Sequence, residues 1–447
     1  MSVTVPADGN SRPGQTVDPG EAGAVPQALP RARIPVSSWY ALALIFLVNM
    51  FAYGDRMALA MLQEQIKSEL HMTDQQMGLL LGLAFALFYS TLGIPLARIA
   101  DRASRPKMLA ICLVLWSGMT AVSGMARNFS QLFIGRMGVG VGEAGCLPPA
   151  HSLIGELFPR DRRALAIGIF QSGAVIGLSA GLLAVGLLGE RYGWRVSLQV
   201  IGLAGLPLAL LLALTVRDPR TALVDPGAER VVRESAKQAL AALLGRRAFI
   251  HLLLAYAIGS ISSFGIIQWL PSFLMRSFGM SMVQVGTWAG LANLISGVGG
   301  LLTGGVLVAW LMKRDARWEL WLPAVAIGAS LPMFVLMTLS PVAWLAIVMK
   351  MLATFLGAIG SGVALAAIQS FAEPHRRATA VSLVFFTSAL LGQGLGPFLI
   401  GTASDMLAPA FGRESLRYAL LLSCVMLVWS VVHYLLAART SNRDQVN

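Results

Sequence analysis

Charge is scarce in this chain. Only 13% of its 447 residues are Asp, Glu, Lys or Arg, where a soluble domain carries about 25%. With 56% of residues hydrophobic, a single water-soluble core cannot absorb the apolar side chains. Acids are the scarcer sign, 22 against 34 basic residues, for a net charge of +12. The basic excess lies in short links between apolar runs. That placement reports membrane topology and an anionic lipid surface, so nucleic acid is not an expected partner. Cysteine is rarer still. Cys112, Cys146 and Cys424 are far apart in sequence, form no CxxC pair and read as small hydrophobes. The five histidines (His71, His151, His251, His375, His433) have no metal spacing. No metal or other cofactor is expected, and a proton-relay role for His151 or His251 ranks below the bland reading.

Catalytic patterns are missing too. Gly140-x-Gly142-x-x-Gly145 has the letters of a dinucleotide fingerprint but no strand before it. Gly177-Leu178-Ser179-Ala180-Gly181 imitates a nucleophile elbow without a strand-turn-helix context. Neither supports an enzyme. The ladder Gly173, Gly177, Gly181 reads instead as close packing of small residues, as do Gly392, Gly396 and Gly401, where Pro397 predicts a kink. A cleavable leader is not visible: residues 1–36 are polar and rich in Pro and Gly, and read as a disordered cytoplasmic tail.

What the chain does have is apolar runs long enough to span a bilayer as helices, about 20 residues each. They fall at roughly 37–58, 77–97, 107–126, 131–153, 164–188, 196–216, 248–274, 283–312, 320–339, 341–369, 378–403 and 417–437. Continuous apolarity predicts helices rather than an alternating barrel. Arg98, Arg102, Arg105 and Lys107, then Arg160, Arg162 and Arg163, and Lys313, Arg314, Arg317, Arg376 and Arg377 crowd the even-numbered links. The positive-inside rule therefore places both termini in the cytoplasm. The longest link, 217–247, is polar, and its part from Ala228 to Leu244 reads as an amphipathic surface helix. It divides the chain into a bundle over 37–216 and a bundle over 248–437, with a cytoplasmic tail over 438–447. The bundles repeat: Pro159-Arg160-Asp161-Arg162-Arg163-Ala164 and Pro374-His375-Arg376-Arg377-Ala378 follow the fourth and tenth runs at an offset of about 214 residues. Two six-helix bundles joined this way predict an all-α membrane protein with its site between the bundles, near mid-membrane.

Particular residues sharpen this. The link Ala97-Arg98-Ile99-Ala100-Asp101-Arg102-Ala103-Ser104-Arg105-Pro106-Lys107 resembles the signature loop of the major facilitator superfamily, G-x-L-A-D-R-x-G-R-R/K, with Ala97 and Ser104 in place of its glycines. Arg136-Met137-Gly138-Val139-Gly140-Val141-Gly142 is similar to that family's R-x-x-x-G-x-G. A narrower resemblance, to the Spinster-like branch, rests on Asn49-Met50-Phe51-Ala52-Tyr53-Gly54-Asp55-Arg56, Gly140-Val141-Gly142-Glu143-Ala144, Gly394-Leu395-Gly396-Pro397 and Ser404-Asp405. The resemblance implies the major facilitator fold, twelve helices in two bundles related by a pseudo-two-fold, moving a solute by rocker-switch alternating access. For the branch it implies a lysophospholipid or sphingoid lipid as cargo and proton coupling. It also makes Asp101, Arg102 and Arg105 a cytoplasmic latch whose charge pairs break and reform.

A charge at bilayer depth costs about 2.5–3.5 kcal/mol, so it needs a partner or a wet cavity. Asp55, Arg56, Arg136 and Glu143 lie in the first and fourth runs and are expected to form one mixed network. Arg136 and Glu143, seven residues apart, share a helix face about 10 Å apart along the axis. An acid beside an arginine is ionised at rest; separated from it in a dry cavity, it takes up a proton. Glu143 is the first expectation for the coupling site and Asp55 the second. Arg136 would tune Glu143, and Arg56 would hold an anionic group. The drawn boundary leaves Asp55 and Arg56 close to the end of the first run. Tyr53, Asn49, Tyr256, Gln268, Asn293 and Gln393 are polar candidates for the cavity, each also a candidate helix–helix hydrogen bond. Lys350 is either deep in the second bundle or snorkels outward. The expectation is a proton-coupled transporter of an amphipathic organic solute, a monomer in a bacterial inner membrane driven by the proton gradient. The alternatives are a drug or aromatic-acid carrier of the same fold and a transporter-like sensor.

Overall fold

A computed structural model describes residues 34–100, 103–219, 235–315 and 317–440, and all secondary structure in those residues is helical. Span one is Val36–Leu70. Span two is Asp74–Leu81 running on as Leu83–Ala100. Span three is Arg105–Ser123, and span four is Phe129–Ala144 followed by Leu147–Leu157. Spans five and six share Arg160–Thr215 and turn at Gly193, whose φ of 76° lets the chain reverse within one residue. The linker contributes the short helix Ala236–Leu244; the predicted helix residues 228–234 lie outside the described residues. Spans seven to ten are Arg247–Phe278, Met282–Leu311, Trp318–Leu339 and Ala343–Ser370. Span eleven is Arg377–Thr387, a π-helical stretch Ser388–Leu395, then Gly396–Phe411; span twelve is Ser415–Thr440. Among the described residues nine helices qualify as membrane-crossing by length and apolarity. Two of those nine each hold two spans, and span four is split at Gly145, which brings the spans to twelve.

With an even number of spans, residues 34 and 440 lie on one face, here the terminal face; the opposite one is the far face. Caps fix where helices begin on the far face. Thr73 and Gln76 form a capping box for span two, Ser281 and Gln284 one for span eight, and Asn128 caps span four. Span one runs twelve residues past its expected end at 58. Its last three turns carry Gln63, Glu64, Gln65 and Lys67, which broke the apolar run. Asp55 and Arg56 therefore sit well inside the helix, not at its end. The expected kink in span eleven is realised one turn early, as the π-helical stretch. Pro397 has no N–H for the preceding turn and its ring crowds that turn's carbonyls, so the helix widens ahead of it.

The predicted glycine ladder packs span five on span one. A Cβ at Gly173, Gly177 or Gly181 would lie 2.8 Å from Phe46 O, 2.2 Å from Met50 O and 2.6 Å from Gly54 Cα. Gly177→Val should therefore lower thermal stability by about 1–3 kcal/mol through overpacking. A melting curve in detergent unchanged from wild type would contradict that contact. The same closeness joins the two halves on the far-face side. A Cβ at Gly78 of span two would meet Pro397 O of span eleven at 2.5 Å, and one at Gly286 of span eight would meet Leu182 O of span five at 2.6 Å. The apolar core follows suit. One buried cluster crosses both halves, joining Met61 and Leu80 to Trp269 and Ile400, while the others stay within one half. Outside, Leu214, Val306, Trp288 and Trp344 are exposed, as expected where lipid is the solvent.

Candidate functional site

The four expected charges are all buried, and they pair crosswise. Arg56 donates from Nε to Glu143 Oε2 at 2.7 Å, with Nη2 2.6 Å from the same oxygen. Arg136 Nη1 lies 3.8 Å from Asp55 Oδ2, and its Nε donates to Leu80 O at 3.4 Å. The arginine beside Glu143 is thus Arg56, and Arg136 turns to Asp55. The reason is axial. Spans one and four are antiparallel, and helical side chains lean toward their own N-terminus. Arg56 therefore reaches toward the terminal face, where Glu143 lies, while Arg136, leaning toward the far face, meets Asp55. Aromatic rings enclose the Arg56–Glu143 pair: the Arg56 guanidinium sits 4.7 Å from the Tyr53 ring, 4.9 Å from Phe85 and 5.0 Å from Tyr89. Among the described residues, Glu143 Oε1 and Asp55 Oδ2 have no hydrogen-bond donor. Glu143 Oε1 is thus bare, a place where a proton can land, while Asp55 Oδ2 has Arg136 at 3.8 Å as its ion partner. A small cavity of about 20 Å³, room for a water molecule, lies against Tyr53, Arg56, Tyr89 and Glu143.

The polar candidates divide. Asn49 donates to Phe170 O at 2.8 Å and Gln268 to Leu81 O at 3.3 Å, so both serve as interhelical bonds, although Asn49 also borders the small cavity. Tyr256 lines a second cavity of about 280 Å³ in the C-terminal half. Asn293 donates to Ser179 Oγ at 3.4 Å and accepts from Lys350 Nζ at 3.5 Å. Gln393 is buried in the π-helical stretch, its carbonyl close to Gly82 of span two. Lys350 does not snorkel: it is 3% exposed and lines the larger cavity. Cys112 and Cys146 are both buried and unbridged, and Cys146 lines the small cavity with Glu143.

Of the latch residues, Asp101 and Arg102 lie outside the described residues. Arg105 is buried within the N-terminal half, pairing with Glu156 and donating its backbone N–H to Asp218 Oδ2 at 3.0 Å.

Sequence reasoning missed a clasp at the far face. Arg276 of span seven donates to Asp74 through Nη1 and Nη2, both at 2.7 Å, and to Glu64 through Nε and Nη2 at 2.7–3.0 Å. Lys67 Nζ is 2.5 Å from Asp74 Oδ1, and Ser272 donates to Glu64. From span eleven, Ser404 donates to Asp74 Oδ2 at 2.7 Å. Asp405 caps span two, accepting from the N–H groups of Asp74 at 3.0 Å and Gln75 at 2.7 Å. The available signal was acids at two span ends facing Ser404-Asp405, residues noticed only for a family resemblance.

The family model of the Major Facilitator Superfamily matches residues 44–397. An MFS-type efflux pump of Mycolicibacterium smegmatis is 34% identical over 407 residues, covering 91% of this chain and 94% of the pump. The sphingosine-1-phosphate transporter SPNS2 of Danio rerio is 26% identical over 441 residues, covering 92% and 85%. A crystal structure of a bacterial homolog to the human lysosomal transporter Spinster, inward-facing and unoccupied, superposes with a TM-score of 0.84 at 28% identity, covering 92% of this chain and 99% of that one. The chain belongs to the Major Facilitator Superfamily, as a Spinster-like integral membrane transporter rather than an enzyme.

Proposed function

We infer that this transporter carries an amphipathic organic solute in exchange with, or together with, protons, by rocker-switch alternating access. The observation that carries the proton coupling is the Arg56–Glu143 pair, buried, with one bare carboxylate oxygen. The four charges sum to zero. When Glu143 takes a proton, Arg56 loses its counter-charge inside a low-dielectric site, and an anionic group of the solute becomes the best replacement. Proton and solute binding are then linked through one guanidinium. A lysophospholipid or sphingoid lipid fits this reading, supported by the likeness to a sphingosine-1-phosphate transporter. A drug or aromatic acid is the second reading, favoured by the 34% identity to an efflux pump. The positive-inside pattern supports cytoplasmic termini in a bacterial inner membrane. The clasped far face is then the outer one, and the conformation faces inward. The protein acts as a monomer in this reading, since both halves of the site lie in one chain, and the Asp101-Arg102-Arg105 loop latches the cytoplasmic face in the opposite state.

The direct test is flux in proteoliposomes of purified protein. An imposed pH gradient should accelerate movement of a lysophospholipid, a sphingoid base or an aromatic acid at least several-fold, and a protonophore should abolish the acceleration. Flux indifferent to the gradient for every solute carried would refute proton coupling.

A further inference from the structure

The two halves can be laid on each other by their own repeat. The offset of 214 that aligns Arg163-Ala164 with Arg377-Ala378 also aligns Arg136 with Lys350. The match is structural as well. Span four starts at Phe129 and span ten at Ala343, so each cation stands seven residues into its helix. Each also reaches a neighbouring helix: Arg136 bonds Leu80 O of span two, and Lys350 bonds Asn293 of span eight, the repeat mate of span two.

The acid is what differs. The same offset places Gly357 where Glu143 stands in the N-terminal half. A Cβ at Gly357 would meet nothing within 4 Å, so the position opens onto space. That space is the cavity of about 280 Å³, which both Lys350 and Gly357 line. Among the described residues its wall carries no carboxylate. It offers Tyr256, Ser330 and Thr354 as polar groups and Phe264 and Phe334 as apolar ones. Lys350 is 3% exposed, yet among the described residues its three donors reach Asn293 Oδ1 at 3.5 Å, the weak limit of a hydrogen bond. A buried ammonium so poorly compensated is costly at bilayer depth, and such residues mark solute pathways.

We propose that Lys350 is an anion anchor: while ionised Glu143 keeps Arg56 paired, the cavity of the C-terminal half takes the carboxylate or phosphate of an amphipathic solute, which supplies the negative charge that Glu143 supplies in the other half, and Arg56 competes for that anion only once Glu143 is protonated. The apolar wall then takes the solute's body. The proposal deepens the transport reading and rests on it for the idea of a solute, but its test needs no gradient.

Bind decyl phosphate and decanoate to the purified full chain in nanodiscs of zwitterionic lipid, by thermal shift and tryptophan fluorescence, with decyltrimethylammonium as control. At least one anion should bind wild type, Lys350→Met should weaken it tenfold or more, and Lys350→Arg should keep it within a few-fold. Whichever anion binds identifies the group, phosphate or carboxylate. Ligand-free Lys350→Met should melt at the same or a higher temperature, because it removes a buried charge with no strong partner. Equal affinity in Lys350→Met, equal preference for the cation, no binding of either anion to wild type, or a lower melting temperature of ligand-free Lys350→Met would each overturn it. A failure of proton coupling in proteoliposomes leaves these binding results standing, so the two readings fail separately.

Discussion

Glu143→Gln should lose gradient-driven flux by a hundredfold or more while solute counterflow, which needs no net proton movement, continues. Glutamine keeps the length of glutamate and still offers Arg56 an oxygen, so the local packing survives. What disappears is the group that binds and releases a proton. Arg56, enclosed by Tyr53, Phe85 and Tyr89, is then without a counter-charge in every step, and the solute's anion meets it whatever the pH. The hundredfold figure matches the energy at stake, since an uncompensated charge at this depth costs about 2.5–3.5 kcal/mol and a hundredfold change is about 2.8 kcal/mol. Gradient-driven flux at the wild-type rate would remove Glu143 from the coupling role. If Asp55→Asn were the variant that lost it, the proton would be assigned to Asp55.

Arg276→Ala should open the far face. The guanidinium joins the C-terminal half to Glu64 and Asp74 of the N-terminal half, with Asp74 at 3% and Arg276 at 12% side-chain exposure. Removing one member of a buried pair costs about 3–5 kcal/mol. Glu64 is 29% exposed, and water offsets part of that loss, so a shift of about 2–3 kcal/mol toward the open form is expected, or roughly 30- to 150-fold in the conformational equilibrium. Lys67 remains to hold Asp74, so the fold itself should survive. Spin labels at Met125→Cys and Arg413→Cys, both exposed at far-face span ends, report the change, and the three native cysteines are buried. A longer inter-label distance should become the major population. A distance distribution identical to wild type would mean the clasp does not hold the face shut.

How much of this was readable before the structure depends on the range of each interaction. Spans are local: twenty apolar residues and a capping Thr73 or Ser281 announce themselves without a neighbour. The end of span one was misplaced because Glu64 and Lys67 look like a helix leaving the membrane. Their partners Ser272, Arg276 and Asp74 are distant in the chain and convert polar turns into an interior contact. The scarcity of charge marks Asp55, Arg56, Arg136 and Glu143 in the sequence, and all four are buried, but spacing along one helix matches Arg136 with Glu143. The tilt of side chains toward each helix's N-terminus, acting between antiparallel helices, crossed the pairs instead.

By itself, then, the amino-acid order determined twelve apolar helices, their alternation across a bilayer, a duplicated six-span unit and the scarcity of charge that makes each buried ion conspicuous. Those follow from hydrophobic transfer and backbone satisfaction, which depend on residues close in the chain. Only the tertiary structure decided which charges meet, that the far face is clasped through Arg276 and Asp74, and that Lys350 looks into a cavity without an acid among the described residues that line it. Those depend on how helices hundreds of residues apart are brought side by side, and in a low-dielectric interior an ångström of placement separates an ion pair from an unmet charge.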